Sequence, residues 1–402
     1  MKKLFSIGIV LSLLLALLTG CQSPGPEQDL GDKFIFEEDN QYYFYLNGLL
    51  GEPIAESETG YYASVDGYVY TRDKKTGECT PLCNKPDCTH DDREFLSDGT
   101  SNCNAYFGIA QQISYYKGKL YVLSANTVYE MDASGSTRKK LIESKESIWA
   151  SMVHRGYLYL AFSDYQMGLE EYTEEELQNL SYRIERYRLD QWDGKPEVVY
   201  EKTGEWGQLH TMFAYGNRAY FHVTGAETSR IVLYYLADNS LSEISGTSGY
   251  PCVVDGMLLY FEQPEEINND MELEEILEIQ AKNMAILAEL DGTPIEKTGI
   301  SQEYGRIFGN GVLIAADNQS KISALGSSSK DNRGTRFYDK DLNFIREVKT
   351  ENGTMPSLGM NEDYFFYMKQ AEGDQGYEVW AIDLHKLDDP NLKGEPFFVS
   401  EK

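Results

Sequence analysis

Basic side chains are scarce in this 402-residue sequence. It contains 36 lysines and arginines against 65 aspartates and glutamates, and its formal net charge at pH 7 is −29. Binding to the phosphate backbone of DNA or RNA needs a basic surface, so this composition argues against a nucleic-acid partner. The same negative charge disfavours contact between the folded body and anionic lipid. We expect an acidic, soluble surface.

Catalytic and phosphate-binding motifs are also missing. The sequence contains no GxSxG, HExxH or GxxxxGK[ST] pattern and no complete EF-hand loop. Four of the five histidines are scattered among predicted strands and turns, where we expect packed or surface side chains: His154, His210, His222 and His385. Acidic pairs suited to glycoside hydrolysis cannot be singled out among 65 carboxylates. We therefore assign no catalytic residue and favour a protein that is not an enzyme.

The first 20 residues have the features of a bacterial signal peptide. Lys2 and Lys3 precede Leu4–Leu18, an apolar stretch of about 15 residues that is too short to cross a bilayer as a helix. The sequence Leu-Thr-Gly-Cys follows, ends at Cys21 and matches a lipobox. It predicts cleavage before Cys21 and lipidation of its thiol, with palmitate among the acyl chains. A secreted protein with a chance cysteine here is the alternative.

Residues 21–33 predict a flexible tether, because they are rich in proline, glycine, glutamine and aspartate and have no apolar period. The lipid anchor and the tether would hold residues 34–402 on the extracytoplasmic face of the bacterial cell membrane. We expect residues 34–402 to form a single domain and the protein to be a monomer.

A repeat of short alternating segments runs through residues 34–402. Its unit is an apolar alternating segment, a polar turn and a second alternating segment, as in TVYEMD-ASGST-RKKLIE. Seven copies begin at these residues: Tyr68, Thr127, Arg183, Arg230, Met284, Thr335 and Tyr377. A further hairpin, such as SYYKGKLYVLS, precedes most copies. Alternating Tyr, Val, Leu and Phe around Gly or Asn turns are typical of antiparallel strands, here four per unit.

Repeated four-stranded units without a long helix predict an all-β fold, namely a β-propeller with seven blades; six or eight blades are the alternatives. The first unit is irregular, and we expect its inner strands to come from Tyr42–Leu46 and Tyr61–Val65. The sequence leaves ring closure open, and Phe34–Glu38 is a candidate to pair with the last blade.

Long insertions predict one decorated face of this propeller. With strands labelled a to d outward from the axis, b-to-c loops and d-to-a connections emerge on the same face, because successive strands run in opposite directions. Three insertions are b-to-c loops: Tyr165–Ser181, Pro264–Asn283 and Asp317–Gly334. The cysteine-rich segment is a d-to-a connection. Binding sites on repeat scaffolds tend to lie where loops gather.

Two of the insertions carry helical signals. Thr173 and Glu176 match a capping box, whose hydroxyl and carboxylate satisfy backbone donors of the first helical turn. A similar pattern at Asn269 precedes an apolar stripe at helical spacing. The two helices are either lids over the axial opening or small elements that pack on the propeller.

Four of the six cysteines and one histidine lie within 25 positions: Cys79, Cys83, Cys88, His90 and Cys103. Cys79 and Cys83 belong to an outer strand, where four residues separate them by ~13 Å, so both cannot bind one ion unless the strand breaks. Cys83, Cys88, His90 and Cys103 form a tetrahedral donor set suited to structural Zn²⁺. No other cofactor is indicated.

Disulfides are the alternative for this segment, since it is predicted to lie outside the cytoplasm. Cys79, Cys83, Cys88 and Cys103 allow three pairings, and a free reactive thiol is a further alternative. Cys252 falls on a predicted innermost strand, where we expect a buried apolar residue.

The motif LCNKPDCTH followed by CNAY, after a DKKTGE turn and behind a lipobox, resembles that of uncharacterised propeller lipoproteins of anaerobic Gram-positive bacteria. These proteins are related to TolB-like and unknown-function propeller families. The resemblance covers roughly residues 60–110, and its matched positions are Cys83, Cys88, His90 and Cys103. It implies a propeller fold and a surface location, and it implies no reaction.

Two functions remain open for the sequence. We favour a binding or scaffold module for a protein, peptide or glycan ligand on the decorated face or in the axial channel. The alternative is an extracytoplasmic polysaccharide hydrolase or lyase with carboxylate or tyrosine side chains around the axial opening. Converging, water-shielded carboxylates would favour the enzyme.

Overall fold

The computed structural model describes residues 30–39, 44–45, 54–91, 93–95, 101–108, 110, 112–164, 172–203, 208–224, 229–264, 267, 271–302, 306–317, 334–349, 354–371 and 376–399. The chain divides into two compact units, Met1–Gly31 and Asp32–Lys402. The predicted signal peptide and Cys21 lie outside the described residues. No helix among the described residues is long and apolar enough to cross a membrane.

Short antiparallel strands dominate the described structure. After β1 (Phe44–Tyr45), they follow in chain order as four-stranded antiparallel meanders, which we number as units. β1 adds to the sheet of unit 4, and one parallel bridge, between Tyr250 and Arg306, joins units 5 and 6 into an eight-stranded sheet. Unit 1 comprises β2 (Ile54–Glu56), β3 (Gly60–Val65), β4 (Tyr68–Asp73) and β5 (Cys79–Pro81). Unit 2 comprises β6 (Gln112–Tyr116), β7 (Lys119–Ser124), β8 (Thr127–Asp132) and β9 (Arg138–Glu143). Unit 3 comprises β10 (Ser147–His154), β11 (Tyr157–Ser163), β12 (Ser181–Arg188) and β13 (Glu197–Thr203).

The same order continues in the second half of the chain. Unit 4 comprises β14 (Gln208–Tyr215), β15 (Arg218–Thr224), β16 (Ser229–Tyr235) and β17 (Leu241–Ser245). Unit 5 comprises β18 (Thr247–Val254), β19 (Met257–Glu262), β20 (Met284–Ala288) and β21 (Pro294–Ser301). Unit 6 comprises β22 (Arg306–Gly309), β23 (Leu313–Asp317), β24 (Gly334–Asp339) and β25 (Phe344–Lys349). Unit 7 comprises β26 (Thr354–Met360), β27 (Tyr364–Gln370), β28 (Tyr377–Asp383) and β29 (Glu395–Phe398).

Two-residue turns set the register of several inner hairpins. Arg155-Gly156 joins β10 to β11 with φ values of 45° and 80°, and Asp255-Gly256 joins β18 to β19 with 47° and 72°. Two positive φ values in succession define a type I′ turn, whose twist matches that of the flanking strands. These turns connect strand a to strand b, and we call the end of the ring where they lie the a–b end.

The hydrophobic core lies between neighbouring units. Tyr159 of unit 3 packs on Phe221 of unit 4 with ring centroids 6.3 Å apart, and similar clusters join the other consecutive units. Phe366 and Phe397 of unit 7 pack on Tyr61 of unit 1, so the last unit contacts the first. Four-stranded sheets packed in this way form a β-propeller, which confirms the predicted fold class. The number of blades stays a prediction.

The start of the ring differs from the prediction. Tyr61–Val65 does lie in β3, but the innermost strand of unit 1 is β2, and Phe44–Tyr45 pairs antiparallel with β14 of unit 4. The expectation that Tyr42–Leu46 supplies an inner strand of unit 1 is therefore wrong, because alternation identifies a strand but not its partner. Phe34–Glu38 forms a turn instead of pairing with the last blade.

Two long insertions lie where they were predicted. Helix α1 (Glu174–Asn179) separates β11 from β12, and helix α2 (Leu273–Lys282) separates β19 from β20, so both lie in b-to-c loops. The capping box of α1 is present: the Glu176 N–H donates to Thr173 Oγ1 over 3.2 Å, and the Thr173 N–H donates to Glu176 Oε2 over 2.8 Å. Asn269 and residues 318–333 of the third insertion lie outside the described residues.

Candidate metal centre and axial pocket

We call the segment between β5 and β6 the cysteine loop. Residues near its two ends form backbone hydrogen bonds with the same residue of unit 1, Val69. The Leu82 N–H donates to the Val69 carbonyl over 2.8 Å, and the Val69 N–H donates to the Ala105 carbonyl over 2.8 Å. The two ends of the loop therefore flank one residue of β4. This pairing brings Cys83, next to Leu82, close to Cys103, two positions before Ala105.

The predicted ligands converge at this point. One donor atom from each of Cys83, Cys88, His90 and Cys103 lies within 4.8 Å of the others, and Cys103 Sγ is 3.6 Å from His90 Nδ1. His90 adopts a left-handed backbone conformation with φ of 58°. No disulfide joins the cysteines of the described residues, and Cys79 does not belong to the cluster, as predicted.

Local hydrogen bonds bias the thiols differently. Burial raises the pKa of the Cys103 thiol to about 12. Burial acts in the same direction on Cys83, but hydrogen bonds from the backbone N–H groups of Lys85 and Asn104 and from the neighbouring thiols outweigh it, and its pKa is lowered. Cys83 therefore loses its proton more readily than Cys103. A metal ion would displace the remaining protons.

The donor set fits a tetrahedral metal ion. A zinc–sulfur bond of about 2.3 Å requires donor separations of roughly 3.8 Å, and the observed limit of 4.8 Å is within reach of small side-chain rotations. Cys103 is fully buried, and the other three residues are half-buried. Three sulfur atoms and one imidazole are soft and borderline donors, which match zinc better than calcium or magnesium. The cluster can therefore hold a metal ion.

The cysteine loop also contacts unit 2, through the turn between β8 and β9. The Gly135 carbonyl accepts hydrogen bonds from the Asn84 N–H over 3.2 Å and from Asn104 Nδ2 over 2.9 Å. Gly135 has φ of 74°, and a Cβ atom there would lie 2.7 Å from the carbonyl oxygen of Leu82. Only glycine allows this close approach. The loop therefore bridges the first two units.

A second attachment lies at the a–b end. Residues Asp32–Asp39, which we call the N-terminal strap, are held by Arg155: its Nε donates to Asp39 Oδ1 over 2.5 Å, and its Nη2 donates to Asp39 Oδ2 over 3.3 Å and to the Lys33 carbonyl over 2.9 Å. The side chain of Asp39 is fully buried, and that of Arg155 is 4% exposed. The strap thus depends on a buried, bidentate ion pair.

His154 lies beneath this ion pair. Its side chain is fully buried, its Nε2 is 2.8 Å from the Gly216 carbonyl, and its Nδ1 is 4.0 Å from Asp39 Oδ1. Burial lowers the pKa of His154 to about 4, and the Asp39 carboxylate opposes this shift only in part. At neutral pH the imidazole is uncharged, so its Nε2–H donates to Gly216.

The strap forms one wall of a pocket of about 620 Å³ at the a–b end, which we call the axial pocket. Phe34 and Phe36 of the strap face the a-to-b turns of units 6 and 7, which contribute Asn310 and Asn361, and Glu56 comes from the end of β2.

Lys74 pairs with Glu56, and its ammonium lies 4.9 Å from the ring centroid of Tyr61 beneath the pocket. Sequence patterns gave no signal for this pocket, since its residues come from distant parts of the chain.

No protein-family model matches the sequence, and no curated protein matches it. Among solved structures, a puromycin hydrolase S511A mutant complexed with PGG is similar at 10% identity and a TM-score of 0.54, over 95% of this chain and 56% of that one. The tricorn protease is similar at 10% identity and a TM-score of 0.53, over 92% and 36%. A prolyl endopeptidase structure is similar at 9% identity and a TM-score of 0.50, over 91% and 52%.

The chain thus spans only 36% to 56% of the lengths of these three structures. At 9% to 10% identity the similarity shows the fold alone. Together with the packing of successive four-stranded sheets, it makes this chain a β-propeller.

Proposed function

We propose that this protein is a lipid-anchored β-propeller that binds a protein, peptide or glycan ligand on the extracytoplasmic face of a bacterial membrane. The axial pocket carries this proposal. Its volume of about 620 Å³ lies in the range of ligand-binding clefts, and it combines apolar walls with a few polar groups. The lipobox at Cys21 supports the anchor.

The proposed ring has seven blades. Within the described residues, units 1 to 7 each have four strands, and unit 7 packs on unit 1 through Phe366, Phe397 and Tyr61. β1 contacts inner strands of units 4 and 7, so part of the chain's own N-terminal segment lies among the inner strands. We therefore place the ligand site in the pocket at the a–b end, opposite the face on which the long insertions are predicted, and not along the whole channel.

Cys83, Cys88, His90 and Cys103 are proposed to hold one structural Zn²⁺. All four coordination positions are filled by side chains, which is the pattern of a structural site; a catalytic site leaves a position open. The metal would cross-link the two ends of the cysteine loop beside Val69. No reaction step is assigned to this site.

Ligand screening with the purified full-length chain tests the binding function. A glycan array and a peptide pull-down are expected to give a ligand whose binding is weakened by Phe34→Ala, which removes part of the pocket wall. Phe344→Ala is the matched control, since Phe344 is an exposed phenylalanine on β25 outside the pocket. Equal binding by both variants would remove the axial pocket from the proposal.

A polysaccharide hydrolase or lyase is the second candidate. The carboxylates of Glu56 and Asp363 both line the pocket, and Glu56 is buried. Depolymerisation of a polysaccharide by the purified protein, abolished by Asp363→Asn, would favour this enzyme over a binding module.

A further inference from the structure

The axial pocket offers apolar surface on two sides. Phe34 on the strap is 44% exposed and Val312 on the turn of unit 6 is 55% exposed, and both line the same pocket. Phe36, Met360 and Tyr215 extend these walls. A ligand that fills the pocket must therefore carry an apolar body.

The amide groups that line the pocket are already engaged. Asn310 Oδ1 accepts from the N–H groups of Val312 and Leu313, and its Nδ2 donates to the Asn361 carbonyl over 2.6 Å. Asn361 Oδ1 accepts from the N–H groups of Asp363 and Tyr364. These hydrogen bonds stabilise the two turns and use most of the hydrogen-bonding capacity of the two amide groups.

Asn361 also donates to the pocket carboxylate Glu56, through Nδ2 to Oε2 over 2.9 Å. Tyr61 donates its hydroxyl to Asp363 Oδ2 over 3.3 Å. Burial and the Glu56 carboxylate raise the pKa of Tyr61, so it remains a protonated donor. Asp363 also has a second partner, because its Oδ1 lies 2.8 Å from His385 Nε2. The internal donors near the pocket thus point at Glu56 and Asp363, and Glu362, which is exposed, is the pocket carboxylate that faces solvent.

Charge at the pocket is negative. Its lining contains three carboxylates, Glu56, Glu362 and Asp363, and one ammonium, that of Lys74. Lys74 is paired with Glu56 and lies 5.7 Å from the ring centroid of Phe36 and 4.9 Å from that of Tyr61. This arrangement shows that the local chemistry of carboxylates and aromatic faces accommodates an ammonium group.

We propose that the axial pocket recognises a ligand with an ammonium or guanidinium group on an apolar body. This inference rests on the proposed binding function and specifies the ligand class of the same site. The cation would approach the exposed carboxylate of Glu362, while its apolar body would lie between Phe34 and Val312. A neutral ligand gains only the apolar contacts, and an anion meets like charge.

Isothermal titration of the full-length chain in detergent with three matched probes tests this inference. The probes are 4-phenylbutylamine, 4-phenylbutanol and 4-phenylbutyrate, which share an apolar body and differ in charge. The amine is expected to bind roughly tenfold more tightly than the alcohol, and the acid is expected not to bind.

Two variants locate the binding. Glu362→Gln is expected to weaken the amine about three- to five-fold and to leave the alcohol unchanged, because an exposed ion pair contributes little. Glu296→Gln, at an exposed glutamate of β21, is the control and should change neither. Phe34→Ala should weaken both the amine and the alcohol, and Phe344→Ala should weaken neither.

The outcomes separate the inference from the proposed function. Equal affinity for amine and alcohol, with both weakened by Phe34→Ala, overturns the cationic ligand but keeps the pocket as a binding site. If the amine binds and Phe34→Ala does not weaken it, the assignment of the binding site to the axial pocket is overturned. If none of the three probes binds, the inference is overturned, and the peptide and glycan screens then decide the proposed function.

Discussion

The cysteine loop and the N-terminal strap are both irregular segments held against the propeller, but by opposite chemistry. The loop brings together four soft or borderline donors that lie within a short stretch, Cys83–Cys103. The strap depends on Asp39 and Arg155, which are 116 positions apart in sequence. The first attachment uses rare residue types close together; the second uses common residue types far apart. The cysteine loop can therefore be predicted from the sequence, whereas the attachment of the strap cannot.

The two attachments also differ in how they contribute to the free energy of unfolding. A buried ion pair gains little net free energy over an apolar pair, because both charges lose hydration, but removal of one partner leaves an uncompensated charge. A structural metal contributes binding free energy directly, because the unfolded chain lacks the assembled site. Each attachment is therefore tested by removing one partner and comparing it with a matched control.

The largest effect is expected at the metal cluster. Cys88→Ser removes one of four donors and should abolish stable metal binding, for which free energies on the order of 10 kcal/mol are typical. Metal content by mass spectrometry and limited proteolysis of residues 79–103 measure this loss. Cys79→Ser is the control and should keep both the metal and the protease resistance. Equal losses in the two variants would contradict the donor set.

The buried ion pair comes next. Asp39→Ala leaves Arg155 unpaired and should lower the free energy of unfolding by about 3–5 kcal/mol. Lys340→Ala breaks the exposed pair of Lys340 with Asp255, whose atoms are 3.0 Å apart with side chains 49% and 48% exposed, and should cost under about 1 kcal/mol. Urea denaturation compares the two variants, and similar costs would show that the strap is not held as described.

His154 predicts a pH dependence of the strap. Its folded-state pKa of about 4 lies below the unfolded value of about 6.5, so its contribution is complete above pH 6.5 and is lost as the pH falls. The slope is about 1.4 kcal/mol per pH unit between these values. His154→Gln should reduce the slope of unfolding free energy against pH, and an unchanged slope would exclude this role.

His385 provides a comparison of opposite sign. Its hydrogen bond to Asp363, 2.8 Å from Nε2 to Oδ1, raises its pKa. Its contribution is therefore present at low pH and lost as the pH rises through the folded-state pKa. The side chain is exposed, so His385→Gln should alter the pH profile much less than His154→Gln.

A moderate effect is expected at the second contact of the cysteine loop. Gly135→Ala should cost about 1–3 kcal/mol, because a Cβ at positive φ would also meet the Leu82 carbonyl. Gly194 has φ of 70° with nothing within 4 Å of its Cβ position, so Gly194→Ala should cost less, about 1 kcal/mol. Thermal unfolding measures the difference in stability between the two variants. Because both positions have a positive φ, this difference reports the cost of the contact with the Leu82 carbonyl.

The sequence was sufficient for the fold class and for the donor set that converges in the structure, for physical reasons. Alternation with period two is local, so it identified the four-stranded units, and rare thiols clustered around His90 identified the four side chains of the donor set. Partner choice is not local. Alternation predicts a strand at Tyr42–Leu46 but does not identify its partner, so it does not predict that Phe44–Tyr45 pairs with β14. Asp39, Arg155 and the residues of the axial pocket meet only because the ring brings distant turns together.

The central proposal is that a metal ion joins the two ends of the cysteine loop. It is tested most directly by zinc analysis of the full-length chain purified without chelator, combined with X-ray absorption at the zinc edge. The expected result is about one zinc per chain with three sulfur ligands and one nitrogen ligand, from Cys83, Cys88, Cys103 and His90. A chain without metal, in which mass spectrometry shows disulfides among these cysteines, would contradict the metal centre.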